Sequence, residues 1–243
     1  MPRFGLLGYP LTHSFSQQYF TEKFGKLGLT DCVYDNFSLP DIEELRAVLE
    51  RYKDLRGFNI TIPYKKQVLG FLHESTDAVK AMGACNCVDI KNGALKGHNT
   101  DVVGFEQSLA PFLRSYHTKA LVLGTGGASA AVEFVLHKLG IGVQYVSRSA
   151  SAGAIAYEDI TGEIMATHKL IVNTTPVGMY PNVHDFPAIP YQFITTEHHL
   201  YDLVYNPAET RFLELGRARG AGTQNGYEML ILQAEESWRI WNT

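Results

Sequence analysis

Cysteine is scarce in this chain, with three residues among 243, and their placement excludes two classes of protein. Cys85 and Cys87 stand at C-x-C spacing with only Cys32 besides. There is no second pair to complete a zinc set, and no framework of the kind that staples small secreted domains. Free thiols in a reducing, cytoplasmic setting are expected. The nine histidines show no metal spacing either, so no bound metal is expected, and His198-His199, standing before a strand, reads as a surface turn. No apolar run reaches the roughly 20 residues a bilayer span needs. Nor does the opening Met1-Pro2-Arg3-Phe4 carry the apolar stretch and small-residue cleavage site of a secretory leader. Lys and Arg are scattered and the net charge is -4, so the electrostatic footprint of a nucleic-acid binder is missing. No membrane partner is expected, and a small-molecule substrate fits better.

What is present is the composition of a folded enzyme. Hydrophobic residues make up 45% and charged residues 19% of the chain, outside the disordered range. The length allows one large domain or two modest ones. Short apolar runs alternate with helical patterns: a strand over Arg3–Tyr9, a helix over Ser16–Leu27, a strand over Cys32–Phe37. Ser38-Leu39-Pro40-Asp41 reads as a capping box before the amphipathic stretch Ile42–Tyr52. Arg56–Ile62 follows as a strand that Pro63 ends, and the rhythm continues through Cys87–Ile90. At Asn99-Thr100-Asp101 the pattern changes. A helix over Val103–Arg114 gives way to a polar stretch and the strongly apolar strand Ala120–Leu123, which places a domain boundary near residue 101. Beyond it come a glycine-rich turn, a helix over Ala128–Leu139, and strands at Val143–Val146, Leu170–Val172 and Leu200–Val204, the order of a doubly wound sheet. Pro176–Pro190 reads as a long surface loop, and Asn206-Pro207-Ala208-Glu209 as a helix cap with a first-turn proline. The last helix, Gly226–Trp241, could pack on either domain.

GTGGAS, Gly124–Ser129, follows the apolar strand and opens a helix, the context in which a glycine motif points to a dinucleotide. Gly124 allows the tight turn. Gly126 allows backbone to approach a pyrophosphate held by amides at the helix N-terminus. Ser129 replaces the third glycine but stays small, and Gly127 adds freedom. The plain alternative is a glycine turn between core elements. At the end of the next strand stand Ser147-Arg148-Ser149 with no carboxylate, and Arg148 with two hydroxyls could hold a 2′-phosphate, which favours NADP. Arg148 as an ordinary solvated strand-end residue is the plain alternative.

Three strand or loop ends in the first half carry clustered polar residues: Ser14 and Ser16; Asn59, Thr61 and Lys65; Asn86, Asn99 and Asp101. Singly, each has a structural reading. Ser16 could cap a helix, Asn59 and Thr61 could alternate on a half-exposed strand, and Asp101 could cap the helix that opens the second domain. Together they point to a ligand site at the carboxyl ends of strands.

HSFS (13–16), NITIPYK (59–65), NTD (99–101), the GTGGAS turn, NTTPVGM (173–179), YDLVYNP (201–207) and GYEMLILQA (226–234) resemble the shikimate dehydrogenase family, in family order and across essentially the whole chain. The resemblance implies an α/β fold with an N-terminal substrate domain over residues 1–101 and a Rossmann-type NADP domain over 102–223. It implies that the helix in 224–243 packs back on the first domain, with the active site in the cleft between the two. Lys65 and Asp101 would be the catalytic pair. Ser14 and Ser16 would bind the substrate carboxylate, Asn59, Thr61, Asn86 and Gln233 its ring hydroxyls, and Tyr205 would contact substrate. Gly124, Thr125, Gly126, Gly127, Ala128, Ser147, Arg148, Ser149 and Thr174 would hold NADP, with Gly226 and Met229 near the nicotinamide. The implied activity is reversible NADP-dependent reduction of 3-dehydroshikimate to shikimate, in aromatic amino-acid biosynthesis, by a monomer or homodimer. An ammonium at Lys65 suits that chemistry because a reduced carbonyl develops negative charge on oxygen.

The departures fall in the cofactor half. The family has N-R-T and a further basic residue where this chain has Ser147-Arg148-Ser149 and small residues, and its somewhat short length points to a trimmed helix between Ser149 and Ala166. Ala84-Cys85-Asn86-Cys87 replaces A-V-N-T, bringing two thiols near the site. The competing readings are an NAD-dependent quinate/shikimate dehydrogenase, a non-catalytic NADP-binding sensor, and a two-domain dehydrogenase of a flat folate substrate stacking on Tyr64.

Overall fold

A computed structural model describes residues 1–11, 14–151 and 153–243; Thr12, His13 and Ala152 lie outside the described residues, and with them the first position of HSFS. The chain divides into two compact units, Met1–Thr100 with Ala234–Thr243, and Asp101–Gln233.

The first unit contains β1 (Arg3–Gly8), α1 (Phe15–Lys26), β2 (Val33–Ser38), α2 (Leu45–Arg51), β3 (Leu55–Ile60), β4 (Glu74–Ser75), α3 (Asp77–Met82), β5 (Cys87–Lys91), β6 (Ala94–His98) and the first residue of α4 (Thr100–Leu109). Its sheet runs β2-β1-β3-β5-β6-β4. β1 is parallel to β2 and β3, whereas β3–β5 and β5–β6 are antiparallel. Alternation along β1 and β5 sends Leu7 and Val88 into a core with Leu45, Phe58 and Tyr64 on one face. Phe4, Leu6 and Cys87 go into a second core on the other face, with Phe20 and Phe24 of α1 and with Ala234, Ile240 and Trp241. Trp241 is locked there by donating its indole N–H to the Val88 carbonyl (2.9 Å). A β-carbon on Gly57 would collide with that indole, so glycine is required at this point of β3.

The second unit holds the rest of α4, then β7 (Lys119–Leu123), α5 (Gly127–Lys138), β8 (Gly142–Ser147), β9 (Ala154–Ala156), α6 (Gly162–Thr167), β10 (Leu170–Asn173), β11 (His199–Asp202), α7 (Arg211–Arg217), β12 (Gly222–Gln224) and α8 (Tyr227–Trp241) through Gln233. Its sheet is parallel throughout in the order β12-β11-β10-β7-β8-β9. Counted within the unit this is 6-5-4-1-2-3, the dinucleotide-binding order, whose switch point lies between β7 and β10. Every residue of β7 after Lys119 is buried, as a strand covered on both faces requires.

Several sequence expectations are corrected. The helix near residue 42 is capped by Asp41, whose carboxylate accepts from Glu43 N (3.0 Å), not by a box at Ser38. Ser38 Oγ instead accepts from Leu11 N. The strand expected over Arg56–Ile62 stops at Ile60, and the helix expected to Arg114 ends at Leu109 with a single 3₁₀ turn after it. Asn206 does not cap a helix; Thr210 does, accepting from Leu213 N. Between Ser149 and Ala166 stand β9, a 3₁₀ turn and most of the six-residue α6, the short helix expected there. His198 and His199 are buried rather than in a surface turn. His198 bonds the Met165 carbonyl through Nε2 (3.0 Å), and His199 stacks on Phe112 at 5.2 Å between centroids. Burial pulls the His199 imidazole down to about 4.

Candidate active site

In the first unit the polar residues collect at one edge of the sheet because of its mixed strand directions. Thr61 and Lys65 follow the carboxyl end of β3, and Thr61 N donates to the Leu7 carbonyl of β1 (2.9 Å). Asn86 stands at the amino end of β5, which antiparallel pairing brings to the same edge, and its carbonyl accepts from Ile60 N (2.8 Å). The β5–β6 hairpin returns Asn99 and Thr100 to that edge through the pair Cys87↔His98. Gly8 is required here, since a β-carbon would lie 2.5 Å from Thr61 Cγ2. The segment carrying Lys65 is tied down by Cys85 N donating to the Lys65 carbonyl (2.8 Å).

Ser14, not Ser16, caps α1, with Oγ accepting from Gln17 N (3.1 Å). A capping serine keeps its own proton for another acceptor, at a helix end whose dipole favours a carboxylate. Behind these residues runs a buried chain of neutral groups. Ser16 hydrogen-bonds to Tyr34, and the Tyr34 hydroxyl donates to Asn59 Oδ1 (2.9 Å). Asn59 Nδ2 donates to the Asn86 carbonyl (3.3 Å) and to Ser237 Oγ (2.8 Å). Ser237 in turn lies 3.3 Å from Thr100 Oγ1. Asn86 Oδ1 accepts from Thr100 N (2.7 Å), and Asn86 Nδ2 donates to Thr100 Oγ1 (3.1 Å). Burial pushes the Tyr34 phenol well up, with the Ser16 hydrogen bond partly opposing it, so the whole chain is uncharged.

The two thiols at Cys85 and Cys87 are fully buried, one in each core. Burial holds the Cys87 thiol well above its usual range. Tyr64 points into the core with its hydroxyl on the Leu39 carbonyl (2.5 Å), so it offers no stacking face for a flat substrate.

In the second unit the glycine turn lies at the switch point. Gly124 has φ +101, and a β-carbon there would meet Thr175 Cγ2 at 2.7 Å. Thr174 closes the turn from the β10 side, with Oγ1 donating to the Leu123 carbonyl (2.8 Å). Gly126 and Gly127 differ, because nothing lies within 4 Å of where their β-carbons would stand. Beside them Thr125 and Ala128 complete the turn, which opens the N-terminus of α5. That open space on the helix end is what a pyrophosphate needs, so the residues fit a dinucleotide. Ser129 turns inward to donate to the Gly126 carbonyl (2.6 Å). At the end of β8, Ser147 Oγ donates to the Ser149 carbonyl and Arg148 is exposed.

Tyr205 is 39% exposed on the loop after β11, and burial of the rest of its ring raises its phenol. Its loop is held by Asp202, which is fully buried. The Asp202 carboxylate accepts from Asn173 Nδ2 (2.9 Å), Val204 N (3.0 Å) and Thr210 Oγ1 (2.6 Å). Burial outweighs these donors and lifts Asp202 to about 6. Gly226 precedes α8 where a β-carbon would run into the Leu203 carbonyl. The Met229 carbonyl lies 2.6 Å from where a β-carbon on Gly104 would be. Gln233 Nε2 donates to Leu230 O (2.9 Å). Sequence reasoning missed Tyr34, Ser237 and Asp202. Asp202 lies inside the quoted YDLVYNP string, whereas the other two carry no local signal.

These features define a two-unit α/β protein with a dinucleotide-binding sheet and a separate sheet bearing neutral hydrogen bonders and a lysine. Residues 6–88 match the family model described as the shikimate dehydrogenase substrate binding domain. Shikimate dehydrogenase (NADP(+)) of Caldicellulosiruptor saccharolyticus is 34% identical over 99% of this chain and 92% of that protein. Its counterpart in Halothermothrix orenii is 36% identical over 98% and 89%. Among solved structures, shikimate 5-dehydrogenase of Thermus thermophilus in complex with NADP(H) and shikimate superimposes with TM-score 0.86 at 33% identity, covering 99% of this chain and 93% of that one. Quinate dehydrogenase of Corynebacterium glutamicum in complex with NAD gives 0.88 at 29% identity, covering 99% and 93%. The chain belongs to the shikimate dehydrogenase family.

Proposed function

We propose that this protein is an NADP-dependent oxidoreductase that reversibly reduces 3-dehydroshikimate to shikimate, in the biosynthesis of aromatic amino acids. The observation that carries the reading is the open helix end at Gly126 and Gly127, in a chain whose relatives over nearly its full length are named for that reaction. Bound NADPH supplies the hydride. Lys65 stabilises the negative charge that develops on the substrate carbonyl oxygen and gives it a proton, and Asp101 is the second member of the catalytic pair. Ser14 and Ser16, at the N-terminal end of α1, hold the substrate carboxylate. Thr61, Asn86 and Gln233 meet ring hydroxyls, and Tyr205 contacts the substrate. A site of neutral donors and acceptors rejects analogues that leave them unpaired. Thr174 supports the cofactor turn, Gly226 and Met229 flank the nicotinamide, and Ser147, Arg148 and Ser149 take the 2′-phosphate.

The test is the appearance of reduced-nicotinamide absorbance with shikimate and quinate against NADP and NAD in all four combinations. Turnover dominated by shikimate with NADP is expected, with Arg148→Ala raising KM for NADP and leaving KM for NAD within a few-fold. Turnover dominated by quinate with NAD would move the protein to the activity named for the Corynebacterium glutamicum neighbour. No turnover in any combination would leave a dinucleotide-binding sensor.

A further inference from the structure

We propose that Tyr34 and Ser237 are positioning residues for substrate binding, fixing Ser16, Asn86 and Thr100 through the enclosed amide of Asn59. The inference rests on the shikimate reading above, and it moves Asn59 from direct substrate contact to the centre of the supporting network.

The Asn59 amide has protein partners on both its oxygen and its nitrogen. Its carbonyl oxygen accepts from the Tyr34 hydroxyl, and its nitrogen has two protein acceptors, the Asn86 carbonyl and Ser237 Oγ. With 5% of the residue exposed, this amide is built to hold neighbours rather than to meet a ligand. An asparagine amide is ambiguous in orientation unless its partners decide it. Here Tyr34 is a donor through a hydroxyl and the Asn86 carbonyl can only accept, so oxygen and nitrogen are assigned by chemistry.

The same constraint passes outward along the network. Asn86 Oδ1 is fixed by the Thr100 backbone N–H, which can only donate, so Asn86 Nδ2 is directed to Thr100 Oγ1. The Thr100 hydroxyl is held by Ser237, and Thr100 is the first residue of α4 and the neighbour in sequence of Asp101. On the other side Tyr34 fixes Ser16. Tyr34 itself has no freedom: its ring stacks on Phe20 at 4.6 Å between centroids and 9° between planes. Ser237 is fully buried on α8. The chain therefore joins α1, β2, β3, the approach to β5, the start of α4 and α8, each through one side chain. A fully satisfied buried network of this kind specifies a single arrangement, and losing one member frees its neighbours to turn.

The experiment is steady-state kinetics of Tyr34→Phe, Ser237→Ala and the double variant, with thermal melts of each. Tyr34→Phe deletes one oxygen and keeps the stack on Phe20, so it carries the test even if Ser237→Ala folds poorly. Each single variant is expected to raise KM for shikimate about tenfold, roughly one hydrogen bond's worth, with KM for NADP within twofold. The double variant is expected to show less than the product of the two effects, because both act through Asn59. Lowered melting temperatures with unchanged KM for shikimate, equal rises in both KM values, or loss of folding in both single variants would overturn the positioning role. Wild-type protein run alongside separates the two ideas. Absence of shikimate turnover in the wild type overturns the functional reading and the positioning with it, whereas wild-type turnover with unmoved variants overturns the positioning alone.

Discussion

Replacing Asp202 by asparagine should change how stability depends on pH, in a direction set by burial. The carboxylate is fully enclosed and accepts from Asn173, Val204 and Thr210, yet its pKa rises from 3.8 to about 6. A folded-state value above the unfolded one means that the native protein binds the extra proton. Its stabilising contribution is therefore complete below about pH 4 and is lost as pH rises through about 6. At 1.36 kcal/mol per unit the whole effect is about 3 kcal/mol, of which about 1.4 kcal/mol falls between pH 5 and 7.5. Asparagine has the same shape, can still accept from Asn173 and Val204, and can donate to Thr210, without titrating. Urea unfolding of both proteins at several pH values should show the wild type losing about 1.4 kcal/mol relative to Asp202→Asn between pH 5 and 7.5. Parallel curves, or a wild type that gains on the variant as pH rises, would refute the claim that burial outweighs the three donors.

Three further outcomes follow from particular contacts. Gly126→Ala, where nothing in the protein lies within 4 Å of the new β-carbon, should leave the melting temperature unchanged and raise KM for NADP about tenfold or more, by filling space the pyrophosphate needs; unchanged KM would remove this turn from the cofactor site. Gly57→Ala should cost about 1–3 kcal/mol in urea unfolding, because its β-carbon overlaps an indole that the Val88 carbonyl holds in place; a neutral variant would mean Trp241 packs elsewhere in solution. Lys65→Met should lower kcat about 10²- to 10³-fold while shikimate still binds, measurable by calorimetric titration; near-normal turnover would end its assignment as proton donor.

The long elements were legible in the sequence because periodicity and context agree in them. β7 and α5 carry an uninterrupted apolar run, a glycine turn and a helical pattern in succession, and the structure has them within a residue of expectation. The short elements were not legible. β4, β9 and β12 have two or three residues each, too few for a period to register, and they gain their conformation from the strands beside them. The β5–β6 hairpin does carry a local signal. Asn92-Gly93 sits at its turn with φ of 51 and 81, the Asn-Gly pattern of a tight hairpin. This turn sets the antiparallel pairing that returns Asn99 and Thr100 to the same edge as Asn86. Ser237 could not have been singled out from sequence, since a serine in an amphipathic helix is unremarkable until Asn59, distant in the chain, is found pointing at it.

Residues 234–243 complete the first unit, and this fixes an order of events during synthesis. When residue 100 has left the ribosome, the sheet strands of the first unit are all available, but Phe4 and Phe20 still lack Ala234, Ile240 and Trp241 as neighbours, and the Val88 carbonyl lacks its indole. Residues 101–233, by contrast, are continuous in sequence and can close their core as soon as they emerge. Of these two units, the one whose synthesis starts earlier is thus completed later, and its interior stays unsealed until residues 234–243 have emerged.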